Sequence, residues 1–171
     1  MSNFRADCNS CCGLCCVVPG FLGVQGFRVD KPAGTPCAHL DDLHRCSIHA
    51  TRQLHGYMAC GGFDCFGAGQ WITQSLFKGG HWTDSPDRAR QMFAAYRHWV
   101  PRFEAAALIE AALPHVRDDA THALIATMTA LICAETTDHL RPTDAGQLRR
   151  KTLAMIRSAL RIDERGIDGE R

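Results

Sequence analysis

Ten cysteines occur in the 171 residues, and nine of them lie within the first 65. Five fall in one nonapeptide, Cys8-Asn-Ser-Cys11-Cys12-Gly-Leu-Cys15-Cys16, and Cys37, Cys46, Cys60 and Cys65 follow. Cores use cysteine sparingly, as a small hydrophobe. Five thiols in nine residues are too crowded for independent disulfides without strain. A shared metal ion or cluster explains the crowding more economically. Thiolates are soft ligands: four bind zinc tetrahedrally at about 2.3 Å, and iron–sulfur clusters follow the same four-thiolate logic. Two such sites leave one of the nine candidates surplus, and Cys12 is the natural spare. Cys8-x-x-Cys11 and Cys11-x-x-x-Cys15 are then both ligand-like spacings. The neighbours Cys15 and Cys16 do not easily chelate one ion, so they point to two centres or leave one of the pair to the core. Gly13 suits a backbone wrapped around a metal, where positive φ or amides aimed at sulfur are needed. Paired knuckle hairpins do not have this spacing. It fits an iron–sulfur cluster or multinuclear site as well as zinc, and consecutive cysteines tilt the reading towards iron–sulfur.

These thiols need a scaffold. Hydrophobic residues make up 46% and charged residues 22%, which is globular and too apolar for disorder. A net charge of +1 supplies no field to recruit nucleic acid or an anionic membrane. No apolar signal precedes Cys8, and no apolar run is long enough to span a bilayer. The expectation is a cytoplasmic protein. Thiols stay reduced in that compartment, which favours metal over disulfides.

Composition changes near residue 81. Residues 1–80 read as a cysteine-rich metal-binding lobe of loops, short strands and short helices, residues 81–165 as a helical bundle, and 166–171 as a frayed tail. The expected fold is mainly α: a small, irregular α+β lobe packed on three or four helices. Phe27 and Val29 alternate with polar neighbours, and Cys37 to Cys46 suggests a hairpin with a ligand on each arm. Ile48 to Tyr57 suits a short helix running towards Cys60. Ser85-Pro86-Asp87 is a helix start. Met92, Tyr96, Trp99, Phe103 and Ala106 then form one apolar stripe, with a kink or break at Pro101 and an end near Pro114. A second helix is expected from about Arg117 to Asp138. A third begins near Thr143 and carries Leu148, Met155, Ile156, Ala159 and Leu160. The lobe has few large apolar residues and needs its metal to fold.

The ordered series Cys8-x-x-Cys11…Cys15-Cys16, Pro36-Cys37-x-x-Leu40, Arg45-Cys46-Ser-Ile48-His49, Arg52, Cys60 and Cys65 resembles the CxxCxxCC (YkgJ-like) family of zinc- or iron-chelating proteins. Asp30 to Cys37 and Asp64 to Gln70 are similar to its actinobacterial branch. The resemblance covers roughly residues 8–70. It implies an eight-cysteine metal site at Cys8, Cys11, Cys15, Cys16, Cys37, Cys46, Cys60 and Cys65. A relative, the flagellin lysine N-methylase, attaches the motif to a larger enzyme and is associated with iron–sulfur binding. Three residues separate Cys11 from Cys15 where the family motif has two. Choosing Cys12 instead restores Cys-Gly-Leu-Cys-Cys but stretches the gap to Cys8, so both remain candidates. His49 stands where an aromatic residue is usual, which makes it a further candidate ligand, and Gln53 stands where proline is usual.

Other groups weigh less. His39, His44, His49 and His55 lie among the cysteines, but thiolates suffice without them, and His49 is the best of the four. Gly67-Ala68-Gly69-Gln70 lacks the frame of a phosphate loop and reads as a tight turn beside Cys65. Arg149, Arg150, Lys151, Arg157 and Arg161 read as a solvated face rather than a nucleic-acid surface. Glu104, Glu110 and Glu135 read as edge-of-core ion pairs, Cys133 as core, and Trp71, Trp82 and Trp99 as a seal between lobe and helices. The leading expectation is a metal-binding protein with an electron-transfer, sensing or accessory role. The alternatives are a metal-dependent enzyme with an open coordination position, a zinc-stabilised module that engages a protein partner, and metal storage or delivery.

Overall fold

A computed structural model describes residues 4–115, 126 and 144–160. These residues are mainly helical, and no sheet occurs among them. The described chain forms two compact units, one reaching Val100 and one starting at Pro101. The compositional shift near residue 81 lies within the first.

Before Pro86 no described helix exceeds five residues. α1 (Leu14–Val17), α2 (Met58–Gly61) and α3 (Ala68–Trp71) are single turns, and α3 runs into a π-helical turn at Ile72–Leu76. Turns this short are not stable alone, so tertiary pins must hold them. The expected strands reduce to two isolated antiparallel bridges, Phe21 to Lys31 and Leu40 to Cys46. Phe27 and Val29 form no strand. The second bridge closes the expected hairpin: Asp41 N donates to Arg45 O at 2.9 Å and Ser47 N to His39 O at 2.8 Å. Between Ile48 and Tyr57 a 3-10 turn at His49–Thr51 and a series of turns replace the expected helix.

The core of this unit gathers Leu14, Val17, Val18, Phe21, Tyr57, Ala68 and Ile72 with Met92, Ala95, Tyr96 and Trp99. Fully burying one large apolar side chain stabilises by about 1.5–3 kcal/mol. Trp71 stacks at a tilt on Trp99, centroids 4.6 Å apart, and Trp82 Nε1 donates to Cys12 O at 2.9 Å. Lys31 is buried here. Its ammonium donates to the carbonyls of Val17, Pro19, Pro32 and Thr35 at 2.6–3.2 Å and lies 4.6 Å from the centre of the Phe21 ring. It ties the segment after Cys16 to the segment before Cys37.

α4 (Pro86–Ala112) begins as read: Ser85 Oγ accepts from Arg88 N at 3.1 Å and Asp87 sits in the first turn. No break occurs at Pro101, which lies inside the helix. A 3-10 turn, Leu113–His115, ends it around Pro114. In the second unit Ile109 is fully buried against Leu113, Met155, Ile156 and Leu160. The last three belong to α5 (Ala145–Ala159) and its C-cap; Asp144 caps its start by accepting from Gln147 N at 2.8 Å. Glu104 pairs with Arg149 at 3.1 Å, the edge-of-core ion pair expected of it. Apart from Ala126, the expected Arg117–Asp138 helix lies outside the described residues, as do Cys133, Glu135, Arg161 and the tail.

Candidate metal centre

The first segment is pinned to α3. Asp7 Oδ1 accepts from Asn9 N at 3.0 Å and Oδ2 from Ser10 Oγ at 2.7 Å, which shapes the turn bearing Cys8. Gln70 grips both sides of that turn's entry, accepting from Asp7 N and donating to Arg5 O, each at 2.8 Å. Gln74 Nε2 donates to Ser10 O at 2.9 Å. Gly13 then turns the chain into α1 with φ of 71°. A Cβ there would stand 2.7 Å from both His44 O and Leu40 Cδ1, so the position requires glycine sterically as well as conformationally.

α1 places Cys15 and Cys16 on consecutive positions of one turn, and Cys37 N donates to Cys16 O at 2.9 Å. Cys46 sits on the hairpin bridge, Cys60 on α2, and Cys65 just ahead of α3, where its carbonyl accepts from Ala68 N at 2.9 Å. The Gly67 turn is therefore the tight turn expected, not a phosphate cradle. All nine described cysteines are free thiols.

Seven of them, Cys8, Cys11, Cys15, Cys16, Cys46, Cys60 and Cys65, line a single cavity of about 550 Å³, together with His44 and His49. Cys37 does not line it, although its charge is felt at Cys46 and Cys60. Cys12 does not line it either; its Sγ lies 3.4 Å from Thr73 Oγ1 in the core. His39 packs edge-on against Tyr57, centroids 5.1 Å apart.

Cys15 is the electrostatic middle of the set. Its charge raises the pKa of Cys8, Cys11, Cys46, Cys60 and Cys65. Cys15 itself is held well above the ordinary thiol range, first by its hydrogen bond with Cys16 and then by burial. Burial is the leading cause elsewhere, and it pushes Cys11 up to about 12. Backbone amides oppose it: Gly13 and Leu14 donate towards Cys11, Gly67 and Gly69 towards Cys65, and Ile48 towards Cys46. Amide donors aimed at sulfur are what a metal-bound thiolate uses, so the donor set fits a metal.

Among the described residues, however, no group of three or more His, Cys, Asp or Glu side chains is drawn together as a ligand set. The thiols ring a space instead of meeting at a point.

Two groups carry no mark in the sequence. Tyr96 lines the cavity from α4, 6% exposed, and its hydroxyl has no hydrogen-bond partner; a place on an apolar stripe gives no hint of an orphaned hydroxyl. Lys31 lies in a loop, and nothing in that position signals burial. Arg52, part of the ordered series that carries the resemblance, lines the cavity, and its charge partly offsets the burial that raises the pKa of Cys8, Cys46 and Cys60 and the Cys16 hydrogen bond and burial that raise that of Cys15.

The chain is 42% identical over 94 residues to the uncharacterized protein YybG of Bacillus subtilis (strain 168), covering 55% of this chain and 34% of that protein. Over 43 residues it is 42% identical to the UPF0153 protein YeiW of Escherichia coli (strain K12) and 40% identical to the UPF0153 protein PA1578.1 of Pseudomonas aeruginosa. Each of those matches covers 25% of this chain and 51% of the relative. The chain thus spans about a third to a half of the curated relatives it matches. No family model and no solved structure matches it. No described helix is long and apolar enough to cross a membrane.

Proposed function

We propose that this is a cytoplasmic metal-binding protein of the CxxCxxCC type, in its actinobacterial branch. Its lobe, residues 1–80, holds an iron–sulfur cluster or zinc ions through Cys8, Cys11, Cys15, Cys16, Cys37, Cys46, Cys60 and Cys65, and it serves electron transfer, sensing or an accessory role. One observation carries the reading: thiols from three separated stretches of chain, Cys8 to Cys16, Cys46, and Cys60 to Cys65, line one cavity. The resemblance to UPF0153 and YybG-type proteins supports it. So do the backbone amides directed at Cys11, Cys46 and Cys65. A cluster would supply one-electron chemistry. Zinc would supply a rigid crosslink among turns too short to hold themselves.

A second reading, a metal site with an open coordination position, is favoured by a cavity larger than closed tetrahedral zinc needs. Anaerobic purification followed by elemental analysis and visible spectroscopy separates the outcomes. A brown protein containing iron and sulfide indicates a cluster, and a colourless one containing stoichiometric zinc indicates the structural role. Unchanged metal content in both Cys37→Ser and Cys60→Ser would refute this ligand set.

A further inference from the structure

Resting on the metal reading above, we propose that the same cavity binds a small organic anion beside the thiolates. Arg52 takes the charged head, and the phenylalanine wall takes an apolar body.

Space is the first ground. The cavity measures about 550 Å³, inside the range of about 300–1,000 Å³ typical of small-molecule sites. If even eight inorganic atoms each took the roughly 30 Å³ share of a water molecule, they would fill less than half of it. Wall chemistry is the second. Pro19, Phe21, Phe27 and Phe63 line the cavity alongside the thiols, and Phe21 and Phe27 stack face to face at 4.3 Å and 4°. A flat or branched apolar body fits against such a wall better than a bare ion does.

The third ground is charge without a partner. Arg52 is half-buried on the wall, and among the described residues it makes no ion pair. Arg45, also on the wall, is tied to Asp41 at 3.8 Å, and Arg5 is exposed. The wall carboxylates are committed elsewhere: Asp7 accepts from Asn9 N and Ser10 Oγ, and Asp64 accepts from Phe66 N at 2.7 Å. A guanidinium in this state matches a carboxylate in two parallel hydrogen bonds. Together these features select an apolar carboxylate.

The test uses the protein as purified, with metal content assayed first. Phenylacetate, uncharged phenylacetamide and inorganic phosphate are titrated by calorimetry. Phenylacetate should bind at least about tenfold more tightly than either. Compared at equal metal loading, Arg52→Gln should lose about tenfold in phenylacetate affinity and Arg52→Lys should recover part of it. Equal binding of acid and amide overturns the proposal, as does undiminished binding in Arg52→Gln. Metal and ligand are read separately. A metal-loaded protein that ignores phenylacetate sinks this inference alone, and a metal-free one that binds it through Arg52 sinks the metal reading alone.

Discussion

Gly69 backs directly onto Cys11: a Cβ on Gly69 would stand 2.8 Å from the Cys11 sulfur and 3.7 Å from that of Cys65. Two thiols from opposite ends of the lobe therefore converge over one α-carbon, and α3 carries a glycine in a helical turn so that they can. Alanine would favour the helix by up to about 1 kcal/mol, but it would displace a buried sulfur, and overpacking of that kind costs about 1–3 kcal/mol. Gly69→Ala is expected to lower metal content per chain while leaving far-ultraviolet dichroism unchanged. Gly62→Ala, whose added carbon would meet only Ala59 O at 4.0 Å, is the control and should load normally.

Lys31 offers a test of the scaffold apart from the thiols. Its ammonium donates to four carbonyls and joins the loops after Cys16 and before Cys37. Lys31→Met keeps the stem over Phe21 and leaves Val17 O with Gly34 N and Pro32 O with Thr35 N, but it strands Pro19 O and Thr35 O, at about 1–3 kcal/mol for each group left unsatisfied. Total destabilisation of about 2 kcal/mol or more is expected in denaturant titration. A loss below 1 kcal/mol would mean that water replaces the ammonium.

The sequence announced the cysteines and the helix from Ser85 plainly, because both signals are local: residue type and crowding for the thiols, capping and apolar periodicity for α4. It also anticipated Gly13, since a positive φ leaves its mark on one residue. It did not disclose the strands' reduction to single bridges at Phe21 and Cys46. Alternation at Phe27 and Val29 needs a partner strand, and partnering is a long-range property. Nor could spacing reveal that Tyr96, on a core stripe, lines the thiol cavity with its hydroxyl buried and unpartnered, or that Lys31 is buried. Both depend on which loops happen to surround them.

Raised thiol pKa values give the metal-free protein a definite pH signature. Cys11 rises from an ordinary 9.0 to about 12, chiefly through burial. The folded chain thus holds this proton more tightly than the unfolded chain does. Its stabilising contribution is complete below pH 9 and is lost as pH climbs from 9 towards 12. At about 1.4 kcal/mol per pKa unit, the loss from Cys11 alone is about 4 kcal/mol. Metal loading runs the other way, because ligation needs thiolates and so expels protons. Calorimetry at neutral pH in buffers of different ionisation enthalpy should record several protons released per chain loaded. A release near zero would show that the bound ions do not sit on these cysteines.

Cys11 and Cys12 are neighbours with opposite surroundings, which makes the choice between them testable. Cys11 lines the cavity and receives the Gly13 and Leu14 amides. Cys12 faces the core at 4% exposure, its sulfur 3.4 Å from Thr73 Oγ1 and its carbonyl bound by Trp82. Serine at position 12 preserves a polar partner for Thr73, so Cys12→Ser should keep its metal and change stability by about 1 kcal/mol. Serine at position 11 replaces a soft ligand by a hard, protonated one, so Cys11→Ser should lose metal and, with it, the order of the turns around α1. Elemental analysis of the two variants beside the parent decides the matter. The reverse pattern would require the first turn to rewind by one residue, turning Cys12 out of the core and burying Cys11 in its place.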